Sequence, residues 1–457
     1  MHSLFSSRTL LRLRAVWRAG AAPLERAGFG PRAVKFATVG VLSGVIVLLI
    51  AYVVAAALGG LGGDRAAQLP VLVNSALVTR GAYLARAGDC TACHTAPGGG
   101  RFAGGLAIAS PIGTLFSTNI TPDRRTGIGA YSYGDFERSV RRGISRSGRT
   151  LYPAMPYPSY SRITDADLAA LYAFFMHGVA PLIHRNRSEA VPWPLSMRWP
   201  LTYWRWLFAP RPRSFLPRPG QDPIVARGAY LVEGLGHCGA CHTPRAATFQ
   251  EEALTPRDGQ RFLAGSRFNG WFAPSLRGGD MAGLGRWTAS DIEAFLMTGR
   301  TDKFAAFGEM SLVVHHSTQF MTAADRIAVA WFLRTLPPAS AKRPSAGVEL
   351  TVSQTYLDEC AACHGADGNG SPSGFPALAR NPIVNTNDPT SLIHIVLTGG
   401  AMPATHAAQT QLVMPPFGQV LSDKKIADTL TFVRSNWGNH ASAISPAKVT
   451  ALRRSIG

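Results

Sequence analysis

With 457 residues and a formal net charge of +19, the chain has room for about three domains of ordinary size. Its 46% hydrophobic content lets each domain bury a core, and it shows no nucleic-acid motif, nucleotide-binding fingerprint, propeller repeat or Ser/His/Asp constellation. Much of the basic excess stands before residue 36, where Arg8, Arg12, Arg14, Arg18, Arg26, Arg32 and Lys35 face only Glu25. That distribution is a topology signal rather than a binding patch.

From Phe36 to Gly63 no residue is charged, and the centre reads VGVLSGVIVLLIAYVVAAAL. About 20 apolar residues suffice to span a bilayer. Residues 36–62 are therefore expected to form a membrane-spanning or signal-anchor helix, with the basic N-terminus 1–35 cytoplasmic and everything after Asp64 outside. Ala55-Ala56-Ala57 offers small residues to a signal peptidase, but the apolar run exceeds the usual h-region and favours an uncleaved anchor. Val34 followed by Lys35 is a further candidate start of translation.

The first repeat opens at Arg80-Gly81-Ala82-Tyr83-Leu84 and leads into Cys90-Thr91-Ala92-Cys93-His94. Two cysteines three apart, followed directly by histidine, read as a covalent c-type haem site. The cysteines add across the two vinyl groups of the porphyrin, and the adjoining histidine serves as proximal iron ligand through its neutral imidazole. The spacing returns at Cys238, Cys241 and His242, and at Cys360, Cys363 and His364, so every cysteine is consumed. A disulfide framework would not place a histidine after each pair, and zinc sites would need second ligand pairs that are missing. Three covalent haems are expected. They bring about six propionate negatives and leave the protein basic. Attachment of c-type haem on the outer side of a bacterial membrane agrees with the predicted topology.

Further along, a helix is expected over Tyr133–Arg142, and Thr164-Asp165-Ala166-Asp167 reads as a capping-box start for DLAALYAFFMHG. A Pro- and Trp-rich stretch follows, with Trp193, Trp199, Trp204 and Trp206 interleaved with Arg and Pro. It is too aromatic for a plain flexible linker and suits packing between haem domains, a membrane-interface belt or a partner's docking surface. The second repeat reuses the pentad as Arg227-Gly228-Ala229-Tyr230-Leu231 and matches Phe102-Ala103-Gly104 with Phe262-Leu263-Ala264-Gly265. A helix is expected over Ser290–Thr298, and Thr322 to Asp325 begins the closing helix DRIAVAWFLRTL. The third repeat closes with KKIADTLTFVRSN, capped by Ser422, and a short helix capped by Ser445 with Pro446 in its first turn ends the chain. In each repeat the helix before the motif and the aromatic-bearing last helix are expected to cross over the haem edge.

The sixth ligand of each iron should be a methionine late in the repeat, just before the last helix. Met155 in LYPAMPYPSY fills that place in the first repeat, with Met176 better explained as core packing. Met310 in FGEMSLVVHHST does so in the second, with His315 and His316 as a bis-histidine alternative. Met414 in LVMPPFG does so in the third, with Met402 as runner-up. Each proximal histidine also needs a carbonyl partner for its other ring nitrogen. Pro274-Ser275-Leu276 and Pro376-Ala377-Leu378 stand at suitable places, and the Ser117-Thr118-Asn119-Ile120 turn would serve the first site.

On RGAYLARAGDCTACHTAPGG, the STNITPD turn, LYPAMPYPSY, WPLSMRWPL, RGAYLVEGLGHCGACHTPR, the HHSTQF turn and MPPFG, the chain resembles the three-haem cytochrome c subunits of membrane-bound periplasmic dehydrogenases. That family oxidises alcohols, aldehydes, gluconate or fructose in bacteria. The resemblance runs from about Leu77 to Gly438. It implies an all-α chain of three tandem class I cytochrome c domains, at 75–185, 223–338 and 349–440, after the N-terminal membrane-spanning helix. The Pro/Trp-rich linker 186–222, a second linker 339–348 and the tail 441–457 complete the division. It further implies electron transfer from a separate catalytic subunit of flavin, quinone-cofactor or molybdenum type to membrane ubiquinone or an oxidase, with the haem domains in the periplasm. The long basic N-terminus departs from the ordinary cleaved leader of that family. A free-standing haem enzyme of peroxidase type, needing one open iron, and a binding or sensing module are the competing expectations.

Overall fold

The structure, a computed structural model, describes residues 30–61, 72–339, 353–371 and 374–456. Most of the basic N-terminus 1–35 and of the linker 339–348 thus lies outside the described residues. The chain forms two compact units, Met1–Ala67 and Gln68–Gly457.

In the first unit, Pro31–Leu61 form one helix. The expected membrane-spanning helix at 36–62 is nevertheless corrected, because no helix among the described residues is long and apolar enough to cross a membrane.

In the second unit, the helix Ser75–Ala87 runs into the first motif and crosses the closing helix Asp165–Ala173. The pentad's glycine makes the crossing possible: a Cβ on Gly81 would stand 1.9 Å from the carbonyl oxygen of Ala170. The second repeat copies this, with Pro223–Tyr230 crossing Ala323–Arg334 and a Cβ on Gly228 only 2.0 Å from Ala328 O. Close backbone approach is what a glycine permits and any side chain forbids. Each closing helix begins at the expected threonine, Thr164 or Thr322, whose hydroxyl accepts from the amide of Asp167 or Asp325. Helices Tyr133–Arg142 and Ala289–Thr298 carry complete capping boxes, Ser132/Asp135 and Thr288/Asp291.

The all-α expectation needs a second correction. Each repeat contributes one short antiparallel hairpin: β1 (Ala107–Ser110) with β2 (Gly113–Phe116), β3 (Ser266–Phe268) with β4 (Trp271–Ala273), and β5 (Gly400–Ala401) with β6 (Val413–Met414). The middle one turns on Asn269-Gly270, both with positive φ, the pairing that a two-residue hairpin favours.

The first two repeats share one buried apolar cluster, from Leu84 through Phe174 and Tyr230 to Leu336. The third has its own, from Tyr356 to Val449, so the C-terminal helix Pro446–Ile456 belongs to that core. There Arg434 is fully buried, and its guanidinium donates to Val384 O at 2.7 Å, Thr386 O at 2.9 Å and Ser442 O at 2.8 Å. The Trp-rich stretch forms a helix over Trp199–Phe208. Trp204 packs edge-on to Tyr157 and donates to Thr248 O at 2.7 Å, whereas Trp193 and Trp206 face solvent.

Candidate haem sites

All three motifs adopt one local form. Cys90–His94, Gly239–His242 and Ala361–His364 are single helical turns, and the six cysteines are free thiols. A helical turn sets cysteines three apart on one side and brings the next residue beneath them. The two sulfurs and one imidazole can then grip the edge and centre of a single planar group. Burial pushes the Cys90 and Cys238 thiols up to about 12.

Each histidine is oriented by one backbone carbonyl. His94 Nδ1 donates to Thr118 O at 2.7 Å, His242 Nδ1 to Pro274 O at 2.7 Å and His364 Nδ1 to Pro376 O at 2.9 Å. These are the carbonyls expected from the sequence, including the turn that had to substitute in the first repeat. Burial lowers the pKa of all three imidazoles, which keeps them neutral. With the proton on Nδ1, the Nε2 lone pair is left for a metal. The donor set therefore fits covalent haem at each motif.

The methionines fall on three kinds of backbone. Met155 lies in the turn before the short helix Tyr157–Tyr160 and packs on the shared core. Met310 is in the helix Glu309–His316, and Met414 is on β6. Met402 is the more buried of the two methionines in its repeat, and Met176 packs on the shared core as expected. His315 spends its Nδ1 on Ala404 O at 2.9 Å, within a contact to the third repeat.

One arrangement escaped the sequence reading. The acids Asp167 and Asp325 do not complete their capping boxes. Arg80 Nε donates to Asp167 at 2.8 Å within the first repeat, and Arg227 Nε to Asp325 at 2.8 Å within the second. The tyrosines cross over: Tyr230 donates to Asp167 at 2.6 Å and Tyr83 to Asp325. The repeated pentad thus supplies an arginine for its own repeat and a tyrosine for the other. Its verbatim recurrence, ten residues before Cys90 and eleven before Cys238, was the available signal. The helix Glu309–His316 of the second repeat packs against the first motif, and burial raises Cys93 to about 11 and Cys241 to about 12. Trp331, on the closing helix of the second repeat, is about half exposed.

Helical turns bearing two thiols and a carbonyl-tethered histidine define a c-type cytochrome, and the sequence profile of cytochrome c matches residues 78–178 and 351–437. The chain is 51% identical to the gluconate 2-dehydrogenase cytochrome c subunit of Pantoea cypripedii, over 83% of this chain and 90% of that protein. It is 49% identical to the cytochrome c subunit of the quinone alcohol dehydrogenase of Gluconacetobacter polyoxogenes, over 87% and 88%. It is 34% identical to the fructose dehydrogenase cytochrome subunit of Gluconobacter japonicus, over 84% of each. The chain belongs to this family of dehydrogenase cytochrome c subunits. It is an electron-transfer protein with covalently bound haem c, and the peroxidase alternative finds no support among these relatives.

Proposed function

We propose that the chain binds three haem c groups, one in each of three cytochrome units at 75–185, 223–338 and 349–440. His94 and Met155 would ligate the first iron, His242 and Met310 the second, His364 and Met414 the third. Each bound haem supplies a one-electron carrier. The observation that carries the reading is the carbonyl tether on all three histidines, which fixes a neutral imidazole with its Nε2 free. The cysteines hold the macrocycle to the chain. The methionine sulfurs of Met155, Met310 and Met414 would complete the ligand sets, exclude small ligands and favour a high potential.

The donor is the catalytic subunit of a dehydrogenase, as the names of the relatives suggest, and that subunit is of flavin, quinone-cofactor or molybdenum type. The acceptor is ubiquinone or a terminal oxidase at the periplasmic face of the cytoplasmic membrane. The chain itself performs no chemistry on the organic substrate. Two spectra test the ligand set. The reduced protein should leave carbon monoxide unbound, and the oxidised protein should show the weak Met–iron band near about 695 nm. Carbon monoxide binding at one haem would overturn the closed assignment for that unit. Reduction of the haems by a co-purifying dehydrogenase on addition of its substrate tests the donor.

A further inference from the structure

A cavity of about 380 Å³ opens where all three repeats meet. Arg86 and Arg101 reach it from the first repeat, His315 and His316 from the second, and His406 from the third. Phe320 supplies an aromatic wall, and no lining residue is acidic.

The positive groups are held in place without being neutralised. Arg86 lies over the Phe320 ring at 4.7 Å, and Arg101 over Phe102 at 4.8 Å. Neither guanidinium pairs with a carboxylate among the described residues. They are close enough that the charge of Arg86, added to partial burial, lowers the pKa of Arg101. The imidazoles are fixed as well. His315 is tethered to Ala404 O, His316 stands 4.8 Å from it ring to ring, and His406 meets Phe320 edge-on while its amide donates to Gln319 at 3.0 Å. Two like charges converging on one hollow repel each other, and an anion between them removes that cost.

We propose that this cavity binds a small multivalent anion, a di- or tricarboxylate or a phosphate, and ties the three repeats together through it. Its volume is that of about a dozen water molecules, too large for a lone chloride and well matched to citrate. Thr91, between the cysteines of the first motif, forms part of the wall. A bound negative charge there stabilises the oxidised iron of the adjoining haem. By linkage, the oxidised protein binds the anion more tightly than the reduced one.

The test uses purified holoprotein at fixed ionic strength, with citrate and inorganic phosphate as probes in titration calorimetry. Wild type should show one saturable site. Arg86→Gln and Arg101→Gln should each weaken it about tenfold or more, the loss of one charge-assisted contact, while the exposed Arg185→Gln leaves it unchanged. A redox titration should show one haem's midpoint potential falling as citrate is added, with about tenfold more citrate needed for the same fall in Arg101→Gln. Absence of saturable binding, as when a haem propionate already fills the cavity, would overturn the proposal. So would equal weakening in Arg185→Gln, which would mark a general charge effect. The calorimetric arm does not depend on the number of haems, so its failure is separable from failure of the three-haem reading.

Discussion

Across the junction of the first two repeats the polar contacts come in matched pairs. Tyr83 meets Asp325 as Tyr230 meets Asp167, Arg80 and Arg227 hold the same two acids, and one apolar core runs through both. At the junction with the third repeat no such matching exists among the described residues. Trp271 on β4 stacks on His394 at 3.8 Å, Ser391 exchanges hydrogen bonds with the backbone of Phe272, and Arg267 pairs with Asp388. The difference follows from the sequence. Two copies of the pentad give each repeat the same outgoing tyrosine and the same receiving acid, so a reciprocal interface needs no further invention. The third repeat lacks the pentad, keeps its own core and docks through residues found once.

If the first junction is one cooperative body, damage at either glycine crossing should spread through both repeats and spare the third. Gly228→Val places methyl groups against the Ala328 carbonyl and should cost about 3 kcal/mol or more, read as a lowered transition for the first two repeats in calorimetry. A transition lowered for the second repeat alone would break the comparison. The reverse holds for Arg434→Met, which strips three carbonyls of their donors, those of Val384 and Thr386 in buried contacts. It should cost about 3 kcal/mol, confined to the third repeat.

Tyr83→Phe and Tyr230→Phe sharpen the pairing, since each removes one hydrogen bond to a carboxylate and should cost about 1–2 kcal/mol by denaturant titration. Near-equal losses support the symmetry. Acid titration probes the same contact. Burial works to raise the pKa of Asp325, but its bonds to Arg227 and Tyr83 outweigh that and hold the carboxyl below its ordinary 3.8. A depressed pKa gives stability that is present above 3.8 and lost as pH falls through the lower folded value. Wild type should therefore keep its advantage over Asp325→Asn at pH 6 and surrender it progressively below about pH 4. The smallest effect belongs to Arg267→Ala. That side chain is 70% exposed, and its ion pair with Asp388 should contribute no more than about 1 kcal/mol.

The parts legible in the sequence were the local ones. The motif spacing located the thiols and imidazoles, hydroxyl caps placed helix starts, and Pro274, Pro376 and the Ser117–Ile120 turn contained the carbonyls that hold the histidines. Hairpins of two to four residues per strand are too short to show an alternating pattern, although Asn269-Gly270 between SRF and WFA was a usable signal. Asp167 and Asp325 misled because an acid three residues after a threonine looks like a capping box. Which partner such an acid takes depends on what the rest of the chain brings to it, here Arg80, Tyr230, Arg227 and Tyr83. The apolar run after Phe36 was read from composition, and composition does not establish a spanning helix.

The central claim is that each motif carries a haem attached through both cysteines. Intact-mass measurement of the purified chain alongside a pyridine haemochrome assay tests it most directly. Three haems per chain are predicted, falling to two when His242 is kept but Cys238 and Cys241 are both changed to Ala. Two or fewer haems on the unaltered chain would contradict the account.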